Sequence, residues 1–190
     1  MVKEFEELLL STKREGIEKL VEFIRKSDFY KAPASTRYHL CCEGGLLKHS
    51  MNVYKCLITK RDSEMWKYIL KEVPEESFII AALLHDLCKT YFYTVDYRNK
   101  KNERGEWERV PFYTVDDRIP YGHGEKSVMM IETYIKLRPS ERYAIRWHMG
   151  FSEAKENYNA IGKAFEMYPL ALALHESDLE STYLLEKEEE

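Results

Sequence analysis

The stretch AALLHDLCKT, residues 81–90, places a histidine and an aspartate side by side where an apolar run ends. Imidazole and carboxylate together suit a divalent first-row metal better than Mg²⁺, which prefers oxygen ligands. All six histidines of the chain lie between positions 39 and 175. Each has an ordinary reading when taken alone. His49 could be a neutral core histidine, Asp86 a turn residue, His123 part of a loop before a helix, and Asp178 the i,i+3 partner of His175. Taken together, His49, His85, Asp86, His123, His148 and Asp178 fall at the ends or inner faces of separate helical segments. A helical bundle can bring such side chains to one internal point. Adjacent residues such as His85 and Asp86 cannot share a helix face. At a helix end, however, the backbone can turn so that both reach the same ion.

The elements that must position them are mostly helical. Phe5, Leu8, Leu9, Leu20, Val21 and Ile24 follow a helical period with a break near Gly16. KAPASTRYHLCCEGG (31–45) is punctuated by Pro33 and two glycines and is expected to be a loop. Helical pattern resumes in LLKHSMNVYKCLITK and in SEMWKYILKEV, which stops before Pro74. EESFIIAALLHDL is apolar almost all round, as a central buried helix should be. Further helices are expected in EKSVMMIETYIKL, in SERYAIRWH and after Pro169. Residues 91–118 differ: FYTVD occurs twice, at 92–96 and 112–116, around a polar centre containing Gly105, which predicts a β-hairpin. Its aromatics could stack on a nucleobase or form a small core that holds the hairpin to the helices. The end of the chain, 185–190, reads as an acidic, solvated tail.

Five segments in order, GGLLKHS, LLHDLCK, GHGEKS, WHMG and LHESD, resemble the motifs of the HD superfamily of metal-dependent phosphohydrolases. The resemblance spans about 32–178. Its upstream part, APASTRYHLCCEGGLLKH, is similar to the HD domain of bacterial 3′-to-5′ exoribonucleases and to relaxase-type HD domains. The OB-fold that accompanies the exoribonuclease HD domain is not expected here. The resemblance implies an all-α fold, a single HD-domain helical bundle over 1–190 with the hairpin as an insertion. It implies that His49, His85, Asp86 and Asp178 ligate one metal, with Mn, Fe, Ni, Co, Zn or Mg as the possible identities. Asp86, His123 and His148 would serve a second ion. Relatives with a firm dinuclear site often carry a histidine where this chain has Met149, so His123 and His148 could instead contact phosphate or protonate a leaving group.

The chemistry implied is hydrolysis of a phosphate ester, a phosphodiester or phosphomonoester of a nucleotide or short nucleic acid. A bound metal lowers the pKa of its water and neutralises phosphoryl oxygens. Asp86, Lys89, His123, Lys126 and His148 are the catalytic candidates. Arg37, His39, Lys89, Lys126 and Arg146 are the candidates for holding substrate. The alternative is a non-catalytic metal- or nucleotide-binding regulatory module on the same fold. Composition narrows the surroundings. With 190 residues, 44% of them hydrophobic, the chain can build one sizeable core. A net charge of −4 argues against a surface that is basic throughout. Four cysteines without C-x-x-C spacing, an acidic N-terminus and no long apolar run lead to the expectation of a reduced, cytoplasmic protein with no membrane contact and no obligate protein partner.

Overall fold

The computed structural model describes residues 1–187. The chain begins with two short helices, α1 (Val2–Ser11) and α2 (Ile17–Lys26). Their apolar positions meet one another and the body of the protein, burying Phe5, Leu9, Leu20, Val21 and Ile24. The break between them is Gly16, whose φ of 88° lies in the left-handed region. A Cβ there would also collide with the Tyr134 carbonyl, so the corner demands glycine on two counts.

After an irregular segment, α3 (Gly45–Asp62) and α4 (Glu64–Ile69) lead to α5 (Glu75–Leu84). Every residue of α5 from Ser77 to Leu84 is buried. One side, Ile79, Ile80, Leu83 and Leu84, packs with α1, α2 and the start of α3. The other side, Phe78, Ala81 and Ala82, packs with Val53, Leu57, Trp66 and the last helix. This two-sided burial explains the near-continuous apolar run. Truncating a residue such as Leu83 should cost about 2–5 kcal/mol.

The second half contains α6 (His123–Glu132), α7 (Pro139–Trp147), α8 (Tyr158–Met167) and α9 (Pro169–Glu180). Helix α8 was not anticipated from sequence. Helix α6 lies close to α7: a Cβ on Gly124 would meet the Arg146 backbone. That approach sets the start of α6 beside the end of α7. Buried Glu141 ties α7 to its neighbours, accepting hydrogen bonds from the Ser77 hydroxyl at 2.6 Å and the Arg138 backbone N–H at 2.7 Å, and pairing with Arg14.

Strands β1 (Tyr93–Lys101) and β2 (Trp107–Val115) form one antiparallel hairpin, with Tyr93 opposite Val115 and Lys101 opposite Trp107. In this register the odd-numbered positions of both strands share one face. The described residues are thus mostly helical with one small hairpin, which is consistent with a helical HD-like fold. The ladder occupies 93–115 of the expected 91–118. Among the described residues, no helix is long and apolar enough to cross a membrane.

The acidic end departs from expectation. After α9 the chain makes a π-helical turn, Ser181–Leu185, and returns Glu186 to the interior, where it is 4% exposed. Residues 188–190 of the expected tail lie outside the described residues.

Candidate metal centre

The HD pair sits where α5 stops. His85 keeps helical backbone angles (φ −55°, ψ −35°), and Asp86 leaves them (φ −103°, ψ 20°) before a 3-10 turn over Leu87–Lys89. The change in direction lets adjacent side chains face one volume. His49 enters it from the second turn of α3, His123 from the first residue of α6, His148 from the end of α7, and Asp178 from the last turn of α9. Helices α3 and α5 bracket the site because both contribute to the two core clusters.

The distances make one connected group. His49 Nε2 is 3.3 Å from His85 Nε2, 3.1 Å from Asp178 Oδ1 and 3.7 Å from Asp86 Oδ2. Asp86 Oδ2 is 3.5 Å from His85 Nε2, and Asp86 Oδ1 is 2.8 Å from His123 Nε2 and 3.6 Å from His148 Nε2. His49, His85, Asp86 and His148 are almost fully buried. His49, Asp86 and His148 line the floor of a cleft of about 540 Å³, with His39, Lys89, His123, Met149 and Asp178 among its other walls.

The outer ring nitrogens are tied down. His85 Nδ1 lies 2.8 Å from the Ala82 carbonyl, and His148 Nδ1 lies 2.7 Å from the Ile145 carbonyl. A carbonyl only accepts, so each Nδ1 carries the proton and donates it, leaving the Nε2 lone pair pointing inward. His49 Nδ1 does the same toward the Glu186 carboxylate, at 3.0 and 3.1 Å from its two oxygens. Glu186 is itself held by Asn52 Nδ2 at 2.9 Å and Ser181 Oγ at 2.6 Å. Paired outer nitrogens with inward lone pairs are the arrangement that metal-binding histidines need.

Two further observations test the fit to an ion. Asp86 Oδ1 is buried and has no aligned hydrogen-bond donor. A buried carboxylate oxygen left this way is costly. Charge gives the second test. Asp86, Asp178 and Glu186 bring three negative charges to the cluster and Lys89 offsets one, leaving two. A divalent cation matches that remainder. His49, His85 and Asp178 form one group that could hold a metal, and His85, Asp86 and His148 form a second that shares His85; His123 adjoins through Asp86.

Without an ion, protons fill the gap. Burial opposes charge on His49, but hydrogen bonds to Asp178 and Glu186 outweigh it and raise its pKa to about 9. Burial prevails at His85 and holds it down to about 4. Burial also lowers His123, whereas at His148 the nearby Asp86 carboxylate overcomes burial and raises it. Asp86 is buried too, yet Lys89 and the surrounding imidazoles keep it well below the usual carboxylate range. Burial likewise opposes ionisation of Glu186, but the His49 contact brings its pKa to about 2.

The remaining candidates divide. Lys89 lies in the cleft, with Nζ 2.6 Å from Asp86 Oδ2 and 2.7 Å from the Ala34 carbonyl. His39 lines the same cleft, packs on the His49 ring at 4.9 Å between centroids, and has no hydrogen-bond partner at either ring nitrogen. Arg37 is exposed on that loop. Lys126 is elsewhere: its ammonium pairs with Asp117 at 2.6 Å and lies over Phe92, outside the histidine cleft. Placing it one turn after His123 did not bring it to the same side, because α6 buries it against the hairpin base. Arg146 also turns away, pairing with Glu125 and Glu153 and stacking on Trp147. His175 is engaged elsewhere than at Asp178: its Nδ1 donates to the His148 carbonyl at 2.6 Å, and its ring covers Gly150.

Sequence reasoning missed Glu186 and Cys88. Cys88 Sγ is 3.2 Å from His123 Nδ1, and burial pushes its thiol pKa up to about 12, so it is neutral there. The only sequence signal for Glu186 was a polar residue following the apolar pair Leu184–Leu185.

No family model matches the chain. No solved structure matches it either. Among curated proteins it is similar to the dihydroneopterin 2′,3′-cyclic phosphate phosphodiesterase of Methanocaldococcus jannaschii, with 33% identity over 86 residues. The aligned stretch is 45% of this chain and 32% of that relative, so the chain spans about a third of the relative's length.

Proposed function

We propose that this chain is an HD-type metal-dependent phosphohydrolase acting on a phosphodiester of a nucleotide or nucleic acid. The observation that carries the reading is the convergence of His49, His85, Asp86 and Asp178 with their Nε2 and carboxylate atoms turned inward. The partial likeness to a phosphodiesterase supports it independently. That relative's name specifies a cyclic phosphodiester, which favours diester over monoester for this chain as well.

His49, His85, Asp86 and Asp178 would hold the ion. A divalent metal in such a site supplies an acidified water and neutralises phosphoryl oxygens. The chain's own residues do the rest. Lys89 steadies the Asp86 carboxylate and keeps a remaining N–H for an anion entering the cleft. His123 sits at the cleft edge with Nε2 against Asp86, and burial lowers its pKa, which favours the neutral ring that can accept a proton. His148, tied through Ile145, is aimed at the same carboxylate and is suited to a second ion or to a phosphoryl oxygen. His39 has no hydrogen bond at either ring nitrogen, with Nε2 3.8 Å from Glu186, and Arg37 is exposed beside it; both are suited to substrate.

The test is hydrolysis of bis-p-nitrophenyl phosphate and of a set of cyclic nucleotides, with Mn²⁺ added, by wild type and by Asp86→Asn. Turnover that needs the metal and disappears in the variant supports the reading. Metal bound with no turnover of any diester or monoester would favour a binding module instead.

A further inference from the structure

The hairpin is not a buried prop. Trp107 is 69% exposed and Tyr97 is 52% exposed, although both are large and partly apolar. Their strands segregate carboxylates by face, while cations stand on both, Arg98 and Lys100 at even positions and Lys101 and Arg109 at odd ones. Odd positions carry Tyr97, Trp107, Tyr113, Lys101 and Arg109 and no carboxylate. Strand carboxylates Asp96 and Glu108 fall on even positions, and Glu103 and Glu106 lie in the connecting turn. The cations are already seated on the rings: the Arg109 guanidinium lies 4.7 Å from the Tyr97 centroid, and Lys101 Nζ lies 5.3 Å from the Trp107 centroid. The face is therefore a row of flat aromatic surfaces edged with positive charge on a chain that is otherwise net negative. Nine residues of strand make it roughly 30 Å long.

That row leads toward the metal cleft. Tyr113, near its base, borders a hollow with Thr36. Two residues on, Tyr38 of the same loop borders the cleft and is 87% exposed. Lys89 and Tyr93 hydrogen-bond the same Ala34 carbonyl, at 2.7 and 3.1 Å, and so join the cleft to the first residue of β1.

We propose that the odd-position face of the hairpin binds single-stranded nucleic acid, stacking bases on Tyr97 and Trp107 and holding phosphates with Lys101 and Arg109. A ligand with π-faces and regularly spaced anions complements this surface on both counts. A duplex hides its base faces and does not. The inference rests on the phosphoesterase reading only for what becomes of the bound strand, since binding itself requires neither metal nor turnover.

The experiment uses the full chain in EDTA and a fluorescein-labelled single-stranded RNA of about 12 nucleotides, read by anisotropy. Wild type should bind the single strand in preference to a duplex of the same sequence. Tyr97→Ala/Trp107→Ala should weaken binding at least about tenfold, as expected for loss of stacking platforms. Lys101→Gln/Arg109→Gln should reduce the slope of log K against log salt by about 1.4, the value for two phosphate contacts on a single strand. All four side chains are exposed, so the variants should keep the wild-type melting curve. The proposal is overturned by absence of wild-type binding, by equal binding in the aromatic variant, or by equal affinity for duplex. It is also overturned if the face instead drives concentration-dependent dimerisation that the aromatic variant abolishes. A catalytically inert protein that still binds the strand would separate failure of the phosphoesterase reading from failure of this one.

Discussion

Glu186 reaches back from beyond the last α-helix to set its carboxylate 3.0 Å from His49 Nδ1, on the side of the ring opposite the cluster. The contact fixes which nitrogen of His49 faces inward. Because Glu186 follows a π-helical turn, a short irregular segment at the edge of the fold orients a candidate ligand at its centre.

Glu186→Gln should therefore weaken metal binding by about 10- to 100-fold, the usual effect of losing a carboxylate behind a ligating histidine. The glutamine still fits between Asn52 and Ser181, so the fold should persist. Isothermal titration of chelated protein with Mn²⁺ or Zn²⁺ checks this; unchanged affinity would remove Glu186 from the centre.

Lys89 should matter for rate more than for metal content. Its ammonium faces Asp86 in a buried setting, and its pKa is raised because that carboxylate outweighs burial. Lys89→Met should reduce diester turnover by on the order of ten- to a thousandfold, as for loss of one charge-stabilising donor. Metal content should stay within about twofold of wild type. Wild-type turnover in this variant would leave Lys89 a structural residue only.

Lys126 should behave in the opposite way. Its partner is Asp117 and its side chain is buried against the hairpin base. Lys126→Met should leave turnover within about twofold of wild type and change stability by about 1–2 kcal/mol through the lost ion pair. A large fall in kcat with an unchanged melting curve would return Lys126 to the mechanism.

The difference between these lysines shows what sequence could and could not convey. That His49, His85, Asp86, His148 and Asp178 could converge was legible because ligand-type residues interrupted apolar helical patterns; their assignment as ligands came from the resemblance to HD motifs. The turn of the backbone at Asp86 was legible for the same reason. Lys126 and Arg146 were chosen for nearness to motifs along the chain, but helix rotation decides which way a side chain points, and α6 and α7 turn these two outward. Glu186 was hidden because only the π-helical turn returns it to His49; on the page it opens a run of solvent-favouring charges. Helix α8 had too weak a pattern between Gly150 and Pro169 to be assigned. The hairpin's register was readable from the repeated FYTVD, but its exposure was not, because alternation fits a half-buried and a free hairpin equally.

The metal-free protein should lose stability as pH rises. The folded pKa of His49 is about 9, above the ordinary 6.5, because its carboxylate partners outweigh burial. A raised pKa means that the folded state holds the proton more tightly. Its contribution is fully present below about 6.5 and is lost as pH climbs through 9. Melting temperatures in EDTA should fall over that window, and the fall should vanish in His49→Gln. Metal must displace the same proton, so its apparent affinity should rise across the window. A flat profile for both quantities would contradict the assigned charge state.

The central claim is that these helices converge on a metal. Elemental analysis of protein purified without chelator, wild type beside Asp86→Ala, tests it most directly. The account predicts about one transition-metal ion per wild-type chain, or more if His123 and His148 complete a second site, and near-complete loss in the variant. Wild-type protein that carries no metal and takes none up from Mn²⁺, Fe²⁺ or Zn²⁺, or an Asp86→Ala variant that keeps a full complement, would contradict it.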